Sequence, residues 1–171
     1  MKNACGVGEQ FYCILCIKLY KQYVRPHLEY CAQAWSPWLE QDKKALEKVQ
    51  ERAVKMVSGL QSNNYKDRLK ELGLQSLEDR RVRGDMIQVW KILHNYDNLN
   101  KNEFFEPVNQ NIQATRLRTV SLNLQKKRVE TDIRKFSFSS RVTDHWNVLP
   151  VSMKQAGSLN IFKNLYDKLI L

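Results

Sequence analysis

Eight cations crowd one stretch of this 171-residue chain. Arg116, Arg118, Lys126, Lys127, Arg128, Arg134, Lys135 and Arg141 are opposed there only by Glu130 and Asp132, and Phe136 and Phe138 lie among them. Guanidinium and ammonium groups attract phosphates, and aromatic rings offer faces on which bases stack. The pattern suits a nucleic-acid backbone, although Phe136 and Phe138 serve equally as core. A second cationic set, Lys44, Lys48 and Lys55, recurs at helical spacing with Lys43 and Arg52 beside it. It reads either as a phosphate-tracking stripe or as a solvated face in which Glu47 and Glu51 pair part of the charge.

Other chemistry is thin. Cys13-x-x-Cys16 has the spacing of a zinc knuckle, with His27 or Cys31 as conceivable further ligands. The pair sits in Phe11-Tyr12-Cys13-Ile14-Leu15-Cys16-Ile17, where a free cysteine behaves as a small hydrophobe, so a core role is the reading taken. No second CxxC is present. The aspartates are scattered and no two are adjacent, so no carboxylate pair is placed to hold two magnesium ions. No glycine-rich phosphate loop and no nucleophile elbow occurs. His27, His94 and His145 stand apart, and His145 beside Trp146 reads as a packing residue. Asp144 and His145 do not form a dyad, because neighbours on a helix do not face each other.

The overall balance agrees with a polyanionic partner. The formal net charge is +10 and the isoelectric point is about 9.5, an excess that favours polyanions through counterion release. The excess is regional: residues 111–171 hold eleven Lys or Arg against four Asp or Glu, whereas residues 71–110 hold five against seven. The apolar run near the start is too short to span a membrane. Four cysteines in the first fifth of the chain form no spaced disulfide framework, which favours a reducing compartment, cytoplasm or nucleus.

The elements that must carry these groups are mostly helical. Tyr12, Leu15, Leu19 and Tyr23 recur at helical spacing up to Pro26, which ends or restarts the helix. A short helix from His27 to Ala34 should stop at Ser36-Pro37. Leu46, Val49, Ala53, Met56 and Leu60 make an apolar face on a helix over about 39–57. Tyr65 to Leu72 predicts a short helix ended by Gly73. Ser76 should cap, with Asp79 in a capping-box-like position, a long helix over about 76–95, lined by Val82, Met86, Val89 and Leu93. Arg80, Arg81 and Arg83 in its first turns oppose the helix dipole unless paired, with Glu78, Asp79 and Asp85 within reach. A polar stretch over 96–113 reads as a linker anchored by Phe104 and Phe105. Beyond it Leu117, Val120, Leu122 and Leu124 predict an extended segment, Lys126 to Arg128 a turn, and Val129 to Ile133 a partner strand. Phe138, Val142, Trp146 and Leu149 predict a helix stopped by Pro150. Ser158 should cap a last helix with Phe162, Leu165, Tyr166 and Leu169 on one face.

Several words in the chain carry a family signal. One is Leu19-Tyr20-Lys21-Gln22-Tyr23-Val24-Arg25-Pro26-His27-Leu28-Glu29-Tyr30-Cys31, with Ala34-Trp35-Ser36-Pro37 soon after it. The others are Phe138-Ser139-Ser140-Arg141-Val142, Trp146-Asn147-Val148-Leu149-Pro150 and Ser158-Leu159-Asn160-Ile161-Phe162-Lys163. In this order they resemble the C-terminal end of the reverse transcriptase of jockey-like non-LTR (LINE-type) retrotransposons, from about Lys18 onward. The resemblance implies the thumb and the region beyond it, without the palm and its Ala-Asp-Asp-like turn. Where the family has a Thr-Arg-Gly word this chain has Thr115-Arg116-Leu117, so a tight turn there is in doubt.

The expectation is therefore a mostly α chain. Residues 1–17 are a divergent leader, set by truncation upstream of Lys18. Residues 18–98 form a helical thumb-like bundle, and residues 99–171 a small, basic α+β module. The expected function is non-catalytic, non-specific binding of an RNA or DNA backbone, a template–primer duplex above all, through the eight cations of 116–141 and through Lys44, Lys48 and Lys55. No cofactor, metal, membrane or small-molecule substrate is expected, since magnesium would serve only the missing palm. Two other readings stay open. One is a structural or interaction remnant of a decayed element with no nucleic-acid role. The other is a zinc module on Cys13 and Cys16.

Overall fold

The computed structural model describes residues 15–57, 63–106 and 122–170. The chain divides into two compact units, Met1–Arg81 and Val82–Leu171. The division falls inside a helix rather than in the polar stretch after it, where the residue pattern places the boundary at 98/99. Among the described residues the chain is mostly helical, and Leu124 alone forms an isolated β-bridge.

In the first unit, α1 (15–19) runs into a π-helical turn, Tyr20–Val24, and on into α2, Arg25–Glu29. Proline lacks the N–H that an α-helix needs and clashes with the carbonyl four residues back. A wider turn relieves that clash, and the Arg25 N–H donates to the Tyr20 carbonyl five residues back. Pro26 thus bends the path without ending it. The expected single helix from His27 to Ala34 is interrupted instead at Cys31, which is left-handed at φ 49°, and resumes as α3, Ala32–Trp35.

Next comes α4, Glu40–Lys55. Its buried face is Gln50, Ala53 and Val54, while Val49 and Met56 are exposed. The face expected from apolar spacing is thus rotated by about one residue. The cause is Gln50, which is fully buried and fully occupied. Its Oε1 accepts from the Tyr20 hydroxyl at 2.7 Å, and its Nε2 donates to the Gln75 carbonyl at 3.0 Å and the Tyr65 hydroxyl at 3.1 Å. A buried amide is tolerated when all its groups find partners. Ile17, Val54, Val57, Leu69 and Leu74 complete the apolar core.

The helix α5, Tyr65–Glu71, ends as expected at Gly73, left-handed at φ 58°. The Leu74 N–H reaches the Leu69 carbonyl at 2.8 Å and the Gly73 N–H the Lys70 carbonyl at 3.2 Å, a Schellman ending whose apolar contact is Leu69 with Leu74. The long helix α6, Leu77–Leu93, begins with the expected Ser76 cap, in a capping-box-like arrangement: the Ser76 Oγ donates to Asp79 Oδ2 at 2.6 Å and accepts from the Asp79 N–H at 3.1 Å.

The second unit packs Met86, Val89, Trp90 and Ile92 of α6 with Phe105, Leu124, Val142, Trp146, Phe162 and Tyr166. After α6 come α7, Lys101–Phe104, α8, Asp132–Lys135, and α9, Phe138–Val148; α10, Val151–Lys154, and α11, Leu159–Ile170, complete the unit. Ser158 caps α11, its Oγ accepting from the Ile161 N–H at 3.3 Å. The expected β part does not form among the described residues. Val129 to Ile133 gives no strand, and Asp132–Lys135 is a helical turn instead. Leu124 takes part in an isolated bridge rather than a strand, and side chains also hold this stretch. The expected strand residues Leu117 and Val120 lie outside the described residues.

Candidate nucleic-acid interface

The helix α4 turns one face wholly to solvent. Lys44, Lys48, Arg52 and Lys55 are all exposed, and none is in an ion pair among the described residues. Their spacing puts them on one side of the helix, opposite Gln50, Ala53 and Val54. The stripe spans about 16 Å of helix axis. Over that rise each strand of a duplex carries roughly five phosphates. Glu51 is the acid within the stripe.

Glu47 does not neutralise the stripe. Its carboxylate turns inward, where it accepts from the Tyr65 hydroxyl and from the Leu77 N–H at 3.1 Å. It therefore caps the first turn of α6, a favourable place for a negative charge. Burial and Glu47 push the Tyr65 hydroxyl well above its usual range, and burial does the same to Tyr20. Lys43, next to the stripe, is spent between Glu40 and Glu78, both at 2.9 Å.

The basic segment of the second unit is a different case. Arg116 and Arg118 lie outside the described residues. Arg141 belongs to the fold: its Nε donates to Asp85 Oδ2 at 2.9 Å, its Nη2 to Asp85 Oδ1 at 3.1 Å and its Nη1 to the Phe136 carbonyl at 3.3 Å. A guanidinium held by both oxygens of a buried carboxylate is not available to phosphate. Lys126 pairs with Asp144 at 2.5 Å and Lys127 with Glu106 at 2.8 Å, all on the surface. Arg128, Arg134 and Lys135 are exposed and in no ion pair among the described residues, Lys135 lying over the Phe136 ring at 5.5 Å. Phe138 packs against the core and on Phe105, with ring centroids 6.0 Å apart, and so is a core residue.

The segments around Trp146, Asn147 and Lys154 also serve packing. Trp146 Nε1 donates to the Leu122 carbonyl at 2.8 Å. Asn147 holds Leu124 at both ends, its Oδ1 accepting from the Leu124 N–H and its Nδ2 donating to the Leu124 carbonyl, each at 2.9 Å. Lys154, 1% exposed, donates to Asn123 Oδ1 at 2.7 Å and to the Asn147 carbonyl at 3.0 Å. Burial pushes its amine below the usual lysine range. His145, read from sequence as a packing residue, is exposed, and neighbouring Asp144 turns to Lys126.

Arg80 and Arg83 of α6 are paired with acids far along the chain. Arg80 forms a two-point pair with Glu29, and Arg83 with Asp167 at 2.5 and 2.8 Å. Asp85 is held by Arg141. Among the described residues no group of three His, Cys, Asp or Glu could hold a metal ion; Cys13 lies outside them, Cys16 is half-buried and Cys31 is exposed. No helix among them is long and apolar enough to cross a membrane. No family model, no curated protein and no solved structure matches this chain.

Proposed function

We propose that this chain grips nucleic-acid backbone without sequence preference, as the thumb and distal module of a jockey-like non-LTR reverse transcriptase. It performs no catalysis alone, because the two-metal carboxylate pair of a polymerase has no counterpart in its sequence. The partner is RNA or DNA, a template–primer duplex above all, and an intracellular reducing compartment suits the free thiols of Cys16 and Cys31.

The observation that carries this reading is the α4 stripe. Four cations stand exposed on one face with Glu51 as the acid among them, and Glu47 is committed to Tyr65 and Leu77. The test is binding to a labelled 20-base-pair duplex across a salt series. Four phosphate contacts give a slope of log affinity against log salt of about −4. A scrambled duplex should bind equally. Absence of binding at low salt overturns the reading.

The remnant reading has one observation in its favour. The closing words, through Arg141, Trp146 and Asn147, are explained entirely by packing and need no ligand. Loss of binding would leave that reading in place.

A further inference from the structure

The pairing of Lys126 and Lys127 is built in by the backbone. Glu106 stands opposite the basic segment because its carbonyl accepts from the Gln125 N–H at 2.8 Å, which sets its carboxylate 2.8 Å from Lys127. Asp144 stands one helical turn before Asn147, and Asn147 clamps both backbone groups of Leu124. That clamp brings Lys126 within 2.5 Å of Asp144. An ordinary surface pair is weak because two long side chains must be ordered to make it. Here the chain paths of both acids and of the lysine segment are fixed beforehand by core hydrogen bonds. Arg128, next in line, has no such acid among the described residues.

We propose that Asp144 and Glu106 hold the segment 126–128 in a self-neutralised state, an autoinhibitory contact that a polyanion must displace before this segment adds to binding. The proposal rests on the nucleic-acid reading above and names how its second basic region is regulated. The chain then binds in two stages. The α4 stripe is open at all times. The segment 126–128 contributes only where phosphate density outcompetes two resident carboxylates.

The test uses the full chain, a labelled 20-base-pair DNA duplex and an RNA–DNA hybrid of the same sequence, over a salt series. The double variant Glu106→Gln/Asp144→Asn should tighten binding several-fold at low salt and steepen the salt slope by about 2 units. Each single variant should give about half of that change. Replacing Lys126, Lys127 and Arg128 by alanine should flatten the slope by about 1 unit in the parent, where only Arg128 is free, and by about 3 in the relieved background. Equal circular dichroism confirms that all variants fold. A relieved variant with the parent's slope overturns the proposal. So does a gain that persists when all three cations are alanine, since that gain is only net charge. If Lys44→Ala/Lys48→Ala/Lys55→Ala abolishes binding while relief changes nothing, the autoinhibition falls and the nucleic-acid reading stands. If no variant binds, both fall.

Discussion

The α4 face and the segment from Lys126 to Arg141 look alike as sequence, and the denser of the two is the second. In the structure their order reverses. On α4 the cations Lys44, Lys48, Arg52 and Lys55 are open, and Glu47 is drawn away into a cap. In the second unit Arg141 is locked on Asp85, while Lys126 and Lys127 are met by Asp144 and Glu106. What matters for a backbone ligand is not how many cations a segment holds but how many carboxylates the fold brings to them. That second number is set by residues far away in sequence.

The sharpest way to break this comparison is Arg141→Ala. If Arg141 is part of the fold, removal leaves the buried Asp85 carboxylate without its guanidinium, at a cost of about 3 kcal/mol. Urea unfolding should show that loss. A fully stable variant with a weakened salt slope would return Arg141 to the ligand surface.

Glu47→Gln separates two roles for one acid. As a cap for Leu77 and partner of Tyr65, its loss should cost about 1–2 kcal/mol, seen as a fall of several degrees in Tm, and leave the salt slope unchanged. A shield for Lys44 and Lys48 would instead steepen the slope with no loss of stability.

The two units should also part company in alkali. Tyr20 and Tyr65 have hydroxyls raised by burial, so their contribution is fully present below about pH 10 and is lost as pH rises through their folded values. Lys154 is lowered by burial, so its contribution is present above the ordinary lysine value and is lost as pH falls through its folded one. Tyr65→Phe should therefore blunt the alkaline loss of stability, which denaturant melts at pH 8, 10 and 11 would register. An undiminished loss in that variant would assign the effect elsewhere.

Much of the helical frame was legible in the sequence. Gly73 ends α5, Ser76 and Asp79 cap α6, and Ser158 caps α11, because such signals act within a few residues. The buried face of α4 was not legible, since Gln50 is polar and its burial depends on Tyr20 and Gln75, 30 and 25 residues away. Its position beside Ala53 and Val54 was the available hint. The strand expected from Val129 to Ile133 failed for a similar reason. Alternation licenses a strand only where a partner exists, and Val129 to Ile133 has none among the described residues. The site misled most where pairing was distant: Asp85 lies 56 residues from Arg141, and Asp144 lies 18 from Lys126.

The central claim is that the open stripe on α4 carries more of the charge available to a nucleic acid than the segment 126–128 does. It is tested most directly by two triple variants measured side by side on one duplex. Alanine at Lys44, Lys48 and Lys55 should flatten the salt slope by about 3 units, and alanine at Lys126, Lys127 and Arg128 by about 1. The opposite order, with the larger loss at 126–128, would contradict the account.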